Sequence, residues 1–128
     1  VVEVKSESQP DKIIGIKIIQ KSSSNSVYKF KLSCAYANND NDEIKKIDVM
    51  IKDAETTINL DFKWIVVNDN VGSLCAVIYS KELLQKLVQV KDELSEFNKT
   101  LISYSPRFAR DIFSIDDDIA EIYHQMYS

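Results

Sequence analysis

The chain has 128 residues, of which 20 are acidic and 16 are Lys or Arg, so its formal net charge at pH 7 is −4. This length suits one domain with a real hydrophobic core and is too short for two independent ones. The acidic balance argues against a surface that wraps DNA or holds an anionic membrane, and the presence of only two glycines and two prolines argues against a phosphate-cradling loop.

The first eleven residues predict a tail rather than a folded element. They are short, polar and interrupted by Pro10, which is typical of a flexible linker. A single globular domain is therefore predicted over residues 12–128. Its first strand is predicted over residues 13–19, where β-branched side chains dominate and Gly15 marks a bulge or a close contact.

The clearest alternation of apolar and polar residues lies in residues 28–36 and predicts a strand with one buried face. Two further strands are predicted over residues 46–52 and 57–66, and the short link between them predicts a hairpin. Residues 74–79 fit either a short strand or an irregular approach to the next element. Strands in sequence with short connections predict an antiparallel meander of four to five strands, dry on one side.

Residues 80–101 predict one long helix that covers the dry side of the meander. Its apolar residues recur at alternating spacings of four and three, which places them on one stripe: Leu83, Leu87, Val90, Leu94, Phe97 and Leu101. Pro106 suits the first position of a second helix, and a last helix follows the acidic residues 116–118. The predicted fold class is α+β, with C-terminal helices packed on one face of the sheet.

Catalytic and metal chemistry have little support in the sequence. His124, the single histidine, lies near the chain end and beside the apolar face of the last helix. Cys34 lies on the inward face of its strand and is expected to be a buried apolar residue. The Asn- and Asp-rich loop 38–43 and the aspartates 116–118 lack the full ligand pattern of a calcium loop. We therefore predict a protein that is not an enzyme, with no catalytic residue, metal or cofactor.

Four lysines are expected on the wet face of the sheet, where they resemble a nucleic-acid platform in outline. Asp48 and Asp61 interleave with them, and no aromatic residues lie among them to stack bases, so we favour cross-strand charge pairing over direct nucleic-acid binding. The four are Lys17, Lys29, Lys31 and Lys63.

The two cysteines, Cys34 and Cys75, have neither metal-site spacing nor the number of a secreted disulfide framework, so we expect an intracellular protein. No segment has the apolar length needed to cross a bilayer, and we expect no membrane partner. Because the sequence lacks an initiator methionine, we expect a piece of a longer protein.

Apolar residues near the C-terminus exceed what one helix stripe can bury. They crowd the junction of the predicted helices, where packing into the core is one explanation and a groove for a protein partner is the other. The predicted partner-binding residues are Phe97, Leu101, Tyr104 and Phe108.

The order of these elements, together with the segments LSEFNKTLISYSPRF and IAEIYHQMY, resembles the RWD-like globular domains of kinetochore and monopolin coiled-coil subunits. The resemblance covers the last third of the chain in pattern and the remainder only in topology. It implies a docking module that binds other proteins through an apolar groove and is dimerised by a segment upstream of Val1. Conjugating activity is not implied, because no catalytic motif of the related ubiquitin-conjugating enzymes is present.

The leading hypothesis is a non-catalytic protein-protein interaction domain of a kinetochore or chromosome-segregation scaffold, with a nuclear location. A small-ligand-binding or regulatory domain, with a pocket between sheet and helix, is the alternative from another class. A viral protein that binds a host protein is a third, and the sequence does not separate the three.

Overall fold

A computed structural model describes residues 1–9, 12–22, 24, 26–38, 43–69, 76–109 and 116–126, with only the backbone for residues 8, 9, 12–14 and 107–109. The strands are β1 (Val2–Gln9), β2 (Lys12–Gln20), β3 (Phe30–Ala37), β4 (Ile44–Ile51), β5 (Glu55–Asn59), β6 (Trp64–Val67) and β7 (Val77–Tyr79). They are followed by α1 (Lys81–Gln89), a 3-10 turn (Lys91–Glu93), α2 (Glu96–Ala109) and α3 (Asp117–Gln125).

The α+β class and the C-terminal position of the helices are confirmed. The described strands divide between a four-stranded sheet of order β5-β2-β1-β7 and a three-stranded sheet of order β4-β3-β6. Their pairing is antiparallel except between β1 and β7, which run parallel. The hairpin expected between residues 46–52 and 57–66 does not form, because β4 and β5 belong to different sheets.

Residues 2–9 form the inner strand β1 in place of the expected tail. Val2 and Val4 are buried, and the residues between and after them, Glu3 and Lys5, are more exposed, which is the alternation of a half-buried strand. The chain pairs with β2 on one side and with β7 on the other. The polar composition of this segment misled the sequence interpretation, because the two buried valines are enough to anchor it. Pro10 and Asp11 lie outside the described residues.

Gly15 combines the two roles that its position in β2 predicted. The register between β1 and β2 shifts after Glu7, which faces Gly15, because Ser8 faces Ile13 and leaves one residue of β2 without a partner. This is a β-bulge. On its other side a Cβ atom at Gly15 would overlap the carbonyl oxygen of Ile58 and lie 3.0 Å from the Asn59 Cα. The backbones of β2 and β5 therefore approach too closely for any side chain here.

The core lies where the two sheets meet the helices. All four residues of β6 are buried, as a continuous apolar run predicts for a strand covered on both faces. Helix α1 packs against β6, β1, β7 and α3. The hydroxyl of Tyr79 accepts a hydrogen bond from the Val67 amide at 2.9 Å, so a side chain of β7 in one sheet holds β6 in the other.

The prediction of one long helix over residues 80–101 is wrong, because α1 ends at Gln89, a 3-10 turn follows, and the chain is extended at Leu94 before α2 begins. Leu94 has an extended backbone, with φ −82° and ψ 149°, and the Asn98 amide donates to the Ser95 hydroxyl at 3.1 Å. Ser95 thus supplies the side-chain acceptor that begins a new helix. The apolar stripe of α1 therefore ends at Leu87, Leu94 is buried between the helices, and the next predicted stripe residue, Phe97, belongs to α2.

Pro106 lies inside α2 and does not begin a separate helix, contrary to the sequence prediction. The hydroxyl groups of Ser103 and Ser105 donate to the carbonyls of Lys99 and Leu101, at 2.9 and 2.8 Å. Hydrogen bonds of this kind from a side chain to the fourth residue back are associated with bent helices, and a bend accommodates a proline ring near a helix end. The last helix, α3, is confirmed, with Ile122, Tyr123 and Met126 buried.

Helix α1 is tied to the start of α3 by an ion pair whose pH dependence can be tested. Lys81 Nζ lies 3.0 Å from Asp118 Oδ2, and this hydrogen bond and the lysine charge lower the pKa of Asp118. The unfolded chain binds the carboxyl proton of Asp118 more tightly than the folded chain does. The pair therefore stabilises the fold at pH values above the ordinary aspartate pKa, and this contribution is lost as the pH falls through the lowered pKa of the folded state.

We expect the carboxyl group of Asp118 to titrate below the ordinary aspartate range by NMR, and to return toward it in Lys81→Ala. Lys52→Ala, an exposed lysine elsewhere, is the control and should leave the titration unchanged. Overall stability should change little, because both partners are exposed to solvent. An Asp118 titration that is the same in both variants would show that the pair does not form in solution.

Candidate partner-binding surface

Helix α2 turns two polar side chains and one isoleucine toward the core, and it turns two aromatic side chains toward solvent. Its buried positions are Asn98, Ile102 and Ser105, which lie on one stripe of the helix. On the outer side, Phe97 is 54% exposed and Tyr104 is 40% exposed. An amphipathic helix of a globular protein ordinarily has the opposite arrangement.

A buried polar contact fixes this rotation of α2. Asp69 lies two residues after the end of β6. The side-chain amide of Asn98 donates to Asp69 Oδ1 at 2.7 Å, and Lys46 Nζ lies 3.4 Å from Asp69 Oδ2. Asn68 precedes Asp69 with a φ of 66°, a left-handed conformation that asparagine tolerates better than most residues. Because both side chains of the Asn98–Asp69 pair are buried, losing one partner would cost about 1–3 kcal/mol.

Three of the four predicted partner-binding residues come together on the outer face of α2, which we define as Phe97, Leu101 and Tyr104. Their spacing of four and three places them on one stripe. Leu101, between the two aromatic residues in sequence, is half-buried. Phe108 would extend the same stripe by one turn, but its side chain lies outside the described residues. Glu96, 3.6 Å from Lys99, and exposed Thr100 supply polar neighbours to this apolar face.

The structure places the cysteine Cys34 in the core and the single histidine, His124, at the surface. Cys34 is buried as predicted, and burial raises the pKa of its thiol to about 11, so the reactive thiolate is suppressed. His124 is exposed on α3. Cys75 lies outside the described residues.

Tyr123 is a second buried titratable group. Burial raises the pKa of its phenol to about 12, and the nearby Tyr79 backbone opposes this shift only in part. The phenolic oxygen is buried, and no group of the described residues lies in hydrogen-bonding geometry with it. A phenol that stays protonated in this way packs as an apolar group and cannot serve as a base at neutral pH.

The four lysines that the sequence placed on one wet face are divided by the fold. Lys17 lies in the four-stranded sheet, 3.3 Å from Glu7, whereas Lys31 lies in the three-stranded sheet, 3.9 Å from Asp48. Asp48 thus pairs across strands with one lysine as expected. Lys63 lies outside both sheets, before β6.

The described residues hold no metal-binding cluster and one polar cavity of note. In that part of the chain no three His, Cys, Asp or Glu side chains gather closely enough to hold a metal ion, and residues 39–42 of the acidic loop lie outside it. A cavity of about 430 Å³ lies beside the end of α1 and is lined by Lys63, Gln89, Val90, Asp92 and Glu93. Four of these residues are exposed and polar, whereas small-molecule sites are mostly apolar.

The sequence interpretation missed two features. Asn98 and Asp69 are 29 positions apart, and no local pattern marks them as a buried pair. The other feature is the solvent face of β4, where Ile44 is 54% exposed and Met50 is 60% exposed. The sequence places these two residues on the same strand face as Lys46 and Asp48. The predicted meander, however, gave this strand a neighbour on each side and therefore no open edge.

Comparison with known proteins adds no family to this description. A scan against models of protein families finds no match, and a search of curated proteins finds no significant relative. None of the described helices has both the length and the apolar character needed to cross a membrane.

Proposed function

We propose that this chain is a non-catalytic protein-interaction domain that docks an apolar segment of a partner protein on the outer face of α2. The observation that carries the proposal is the rotation of α2. Two aromatic side chains of the helix, Phe97 and Tyr104, are exposed, while Asn98 and Ser105 occupy core-facing positions.

The energetic cost of this arrangement supports a binding role. Burying a large apolar side chain stabilises a fold by about 1.5–3 kcal/mol, and the fold forgoes much of that gain at Phe97. Single exposed apolar residues need no explanation, but a stripe of them on one helix does. Aromatic residues at the centre of a polar rim are the usual composition of binding hot spots.

The shape of the face favours a helical partner. Phe97, Leu101 and Tyr104 repeat at the spacing that an amphipathic helix presents, so a partner helix with apolar residues at positions i, i+3 or i+4, and i+7 would match them. Phe108 is proposed as part of the same surface on sequence spacing alone. A role in a kinetochore or chromosome-segregation scaffold, with a nuclear location, belongs to this proposal and is supported by the sequence resemblance alone.

The test compares matched aromatic substitutions in capture of partner proteins from cell lysate, with proteins identified by mass spectrometry. We expect Phe97→Asp and Tyr104→Ala each to remove the specifically captured protein while the circular dichroism spectrum stays that of the native domain. Tyr28→Ala is the matched control, because Tyr28 is an exposed aromatic residue, 57% exposed, outside this surface.

The control decides what a loss of capture means. If Tyr28→Ala also removes the captured protein, the binding is not specific to α2. If all three variants capture it as the wild type does, the outer face of α2 is not the binding surface. Unfolding of Phe97→Asp and Tyr104→Ala would show that these side chains belong to the core.

A further inference from the structure

Strand β4 offers a long edge for pairing with another strand. Among the described strands it pairs only with β3, so the backbone groups on its other side are not used in a sheet. It has eight residues, whereas the other outer strands β5, β6 and β7 have five, four and three. Proteins commonly shorten or block such edges to prevent association, and this one is neither short nor interrupted by proline.

The solvent face of β4 has an ordered pattern of side chains. Ile44, Lys46, Asp48 and Met50 lie on this face and are all exposed, whereas Val49 and Ile51 on the opposite face are buried in the core. Apolar residues thus occupy both ends of the exposed row, and two opposite charges occupy its middle.

This row is complementary to itself when reversed. If two copies of β4 pair antiparallel about a two-fold axis at Ile47, Ile44 faces Met50 of the other copy and Lys46 faces Asp48 of the other copy. From this self-complementarity we infer that β4 is a dimerisation edge and that its partner is a second copy of this chain. The pairing would join the two three-stranded sheets into one continuous sheet.

Neighbouring registers are disfavoured by charge. Moving the axis to Lys46 places two lysines opposite each other, and moving it to Asp48 places two aspartates opposite each other. An axis between two residues would set the core face of one copy beside the solvent face of the other. The register centred on Ile47 is the one that satisfies both the charges and the faces.

The charged side chains are already held on this face. Asp48 accepts a hydrogen bond from the Ser33 hydroxyl at 2.9 Å, and Lys46 leans toward Asp69 at 3.4 Å. The pairing adds roughly six to eight backbone hydrogen bonds but less area than the roughly 1,200–2,000 Å² of a standard interface. We therefore expect a dimer that dissociates with a Kd of order 10 µM, not a permanent one.

The test uses sedimentation velocity of the 128-residue chain from about 1 to about 500 µM. We expect the wild type to shift from monomer to dimer across this range. Lys46→Asp and Asp48→Lys should each raise the Kd for self-association at least roughly tenfold, because each places like charges opposite each other. Mixed in equal amounts, the two variants should form a heterodimer, since the introduced charges then face their opposites.

Controls separate dimerisation from folding. Lys81→Asp makes the same charge change as Lys46→Asp and also loses one ion pair, but it lies in α1 and not in β4. It should therefore dimerise like the wild type. The exposed Met50 side chain makes no ion pair or hydrogen bond with the described residues, so Met50→Lys should leave the fold intact and still weaken the dimer. It therefore covers the case in which Lys46→Asp unfolds. A wild type that stays monomeric throughout, a mixture of the two variants that forms no heterodimer although both are folded by circular dichroism, or a Met50→Lys variant that dimerises normally would each overturn the inference.

Discussion

Replacing Gly15 with alanine is expected to lower the free energy of unfolding by about 3 kcal/mol, at the upper end of the range for an overpacked site. The added methyl group would meet the carbonyl oxygen of Ile58 and the Cα of Asn59, both of which are backbone atoms. A flexible side chain could rotate away from such a contact, but a strand backbone can yield only by giving up its pairing. Urea unfolding followed by circular dichroism measures the change in the transition midpoint.

The matched control for Gly15→Ala is Thr57→Ala. Thr57 lies on β5, faces Lys17 across the same strand pair, and is exposed. Its loss should cost less than about 1 kcal/mol, because it alters side-chain propensity without moving either backbone. If Gly15→Ala unfolds at the same urea concentration as the wild type, β2 and β5 do not approach as closely as described.

Alternation located β3 and β4, which pair antiparallel as the meander predicts, but it missed β1 and joined β5 and β6 into one predicted strand over residues 57–66. The pattern of residues 28–36 identifies the buried face of β3, because side-chain direction in a strand depends only on parity. The short link from β4 to β5 fits a hairpin equally well and instead carries the chain to the other sheet. Part of the difference lies in Gln20, whose side-chain amide donates to the carbonyl oxygens of Tyr28 and Asp53, at 2.8 and 2.9 Å. Contacts between residues so far apart leave no local trace.

The candidate site, too, was predictable only as far as local sequence patterns reach. The excess of apolar residues near the C-terminus identified Phe97, Leu101 and Tyr104, but their exposure depends on how α2 is rotated. That rotation is associated with a buried hydrogen bond from Asn98 to Asp69 and with the helix start at Ser95. Periodicity alone favours the continuous helix, in which Phe97 would lie on the core stripe with Leu87 and Leu94.

The two proposed surfaces reinforce each other if both exist. They lie on different elements, since one is a face of helix α2 and the other is the outer strand β4 of the three-stranded sheet. A dimer formed through β4 would carry two copies of the outer face of α2. Two linked binding faces engage a partner that has two sites more tightly than one face does, provided that the geometry allows both to bind. A weak dimer would therefore have a functional consequence larger than its own affinity.

Leu87→Ala is expected to destabilise the domain by about 2–5 kcal/mol, whereas Phe97→Ala should change its stability by no more than about 0.5 kcal/mol. Leu87 is fully buried in α1, so its truncation removes apolar contacts and leaves a cavity. Phe97 is 54% exposed at the start of α2, so its truncation leaves no comparable void. Thermal and urea unfolding of both variants, analysed as two-state transitions, give the two free-energy changes.

The comparison tests the break at Leu94 more directly than either variant alone. In a continuous helix both side chains would lie on the same buried stripe, and both truncations would cost several kcal/mol. Gln85→Ala controls for the change in helix propensity, because Gln85 is an exposed residue of α1 and alanine favours a helix. Equal losses at Leu87 and Phe97 would restore the unbroken helix and remove Phe97 from the proposed surface. A large loss at Leu87 alone would leave Phe97 free to bind a partner without weakening the fold.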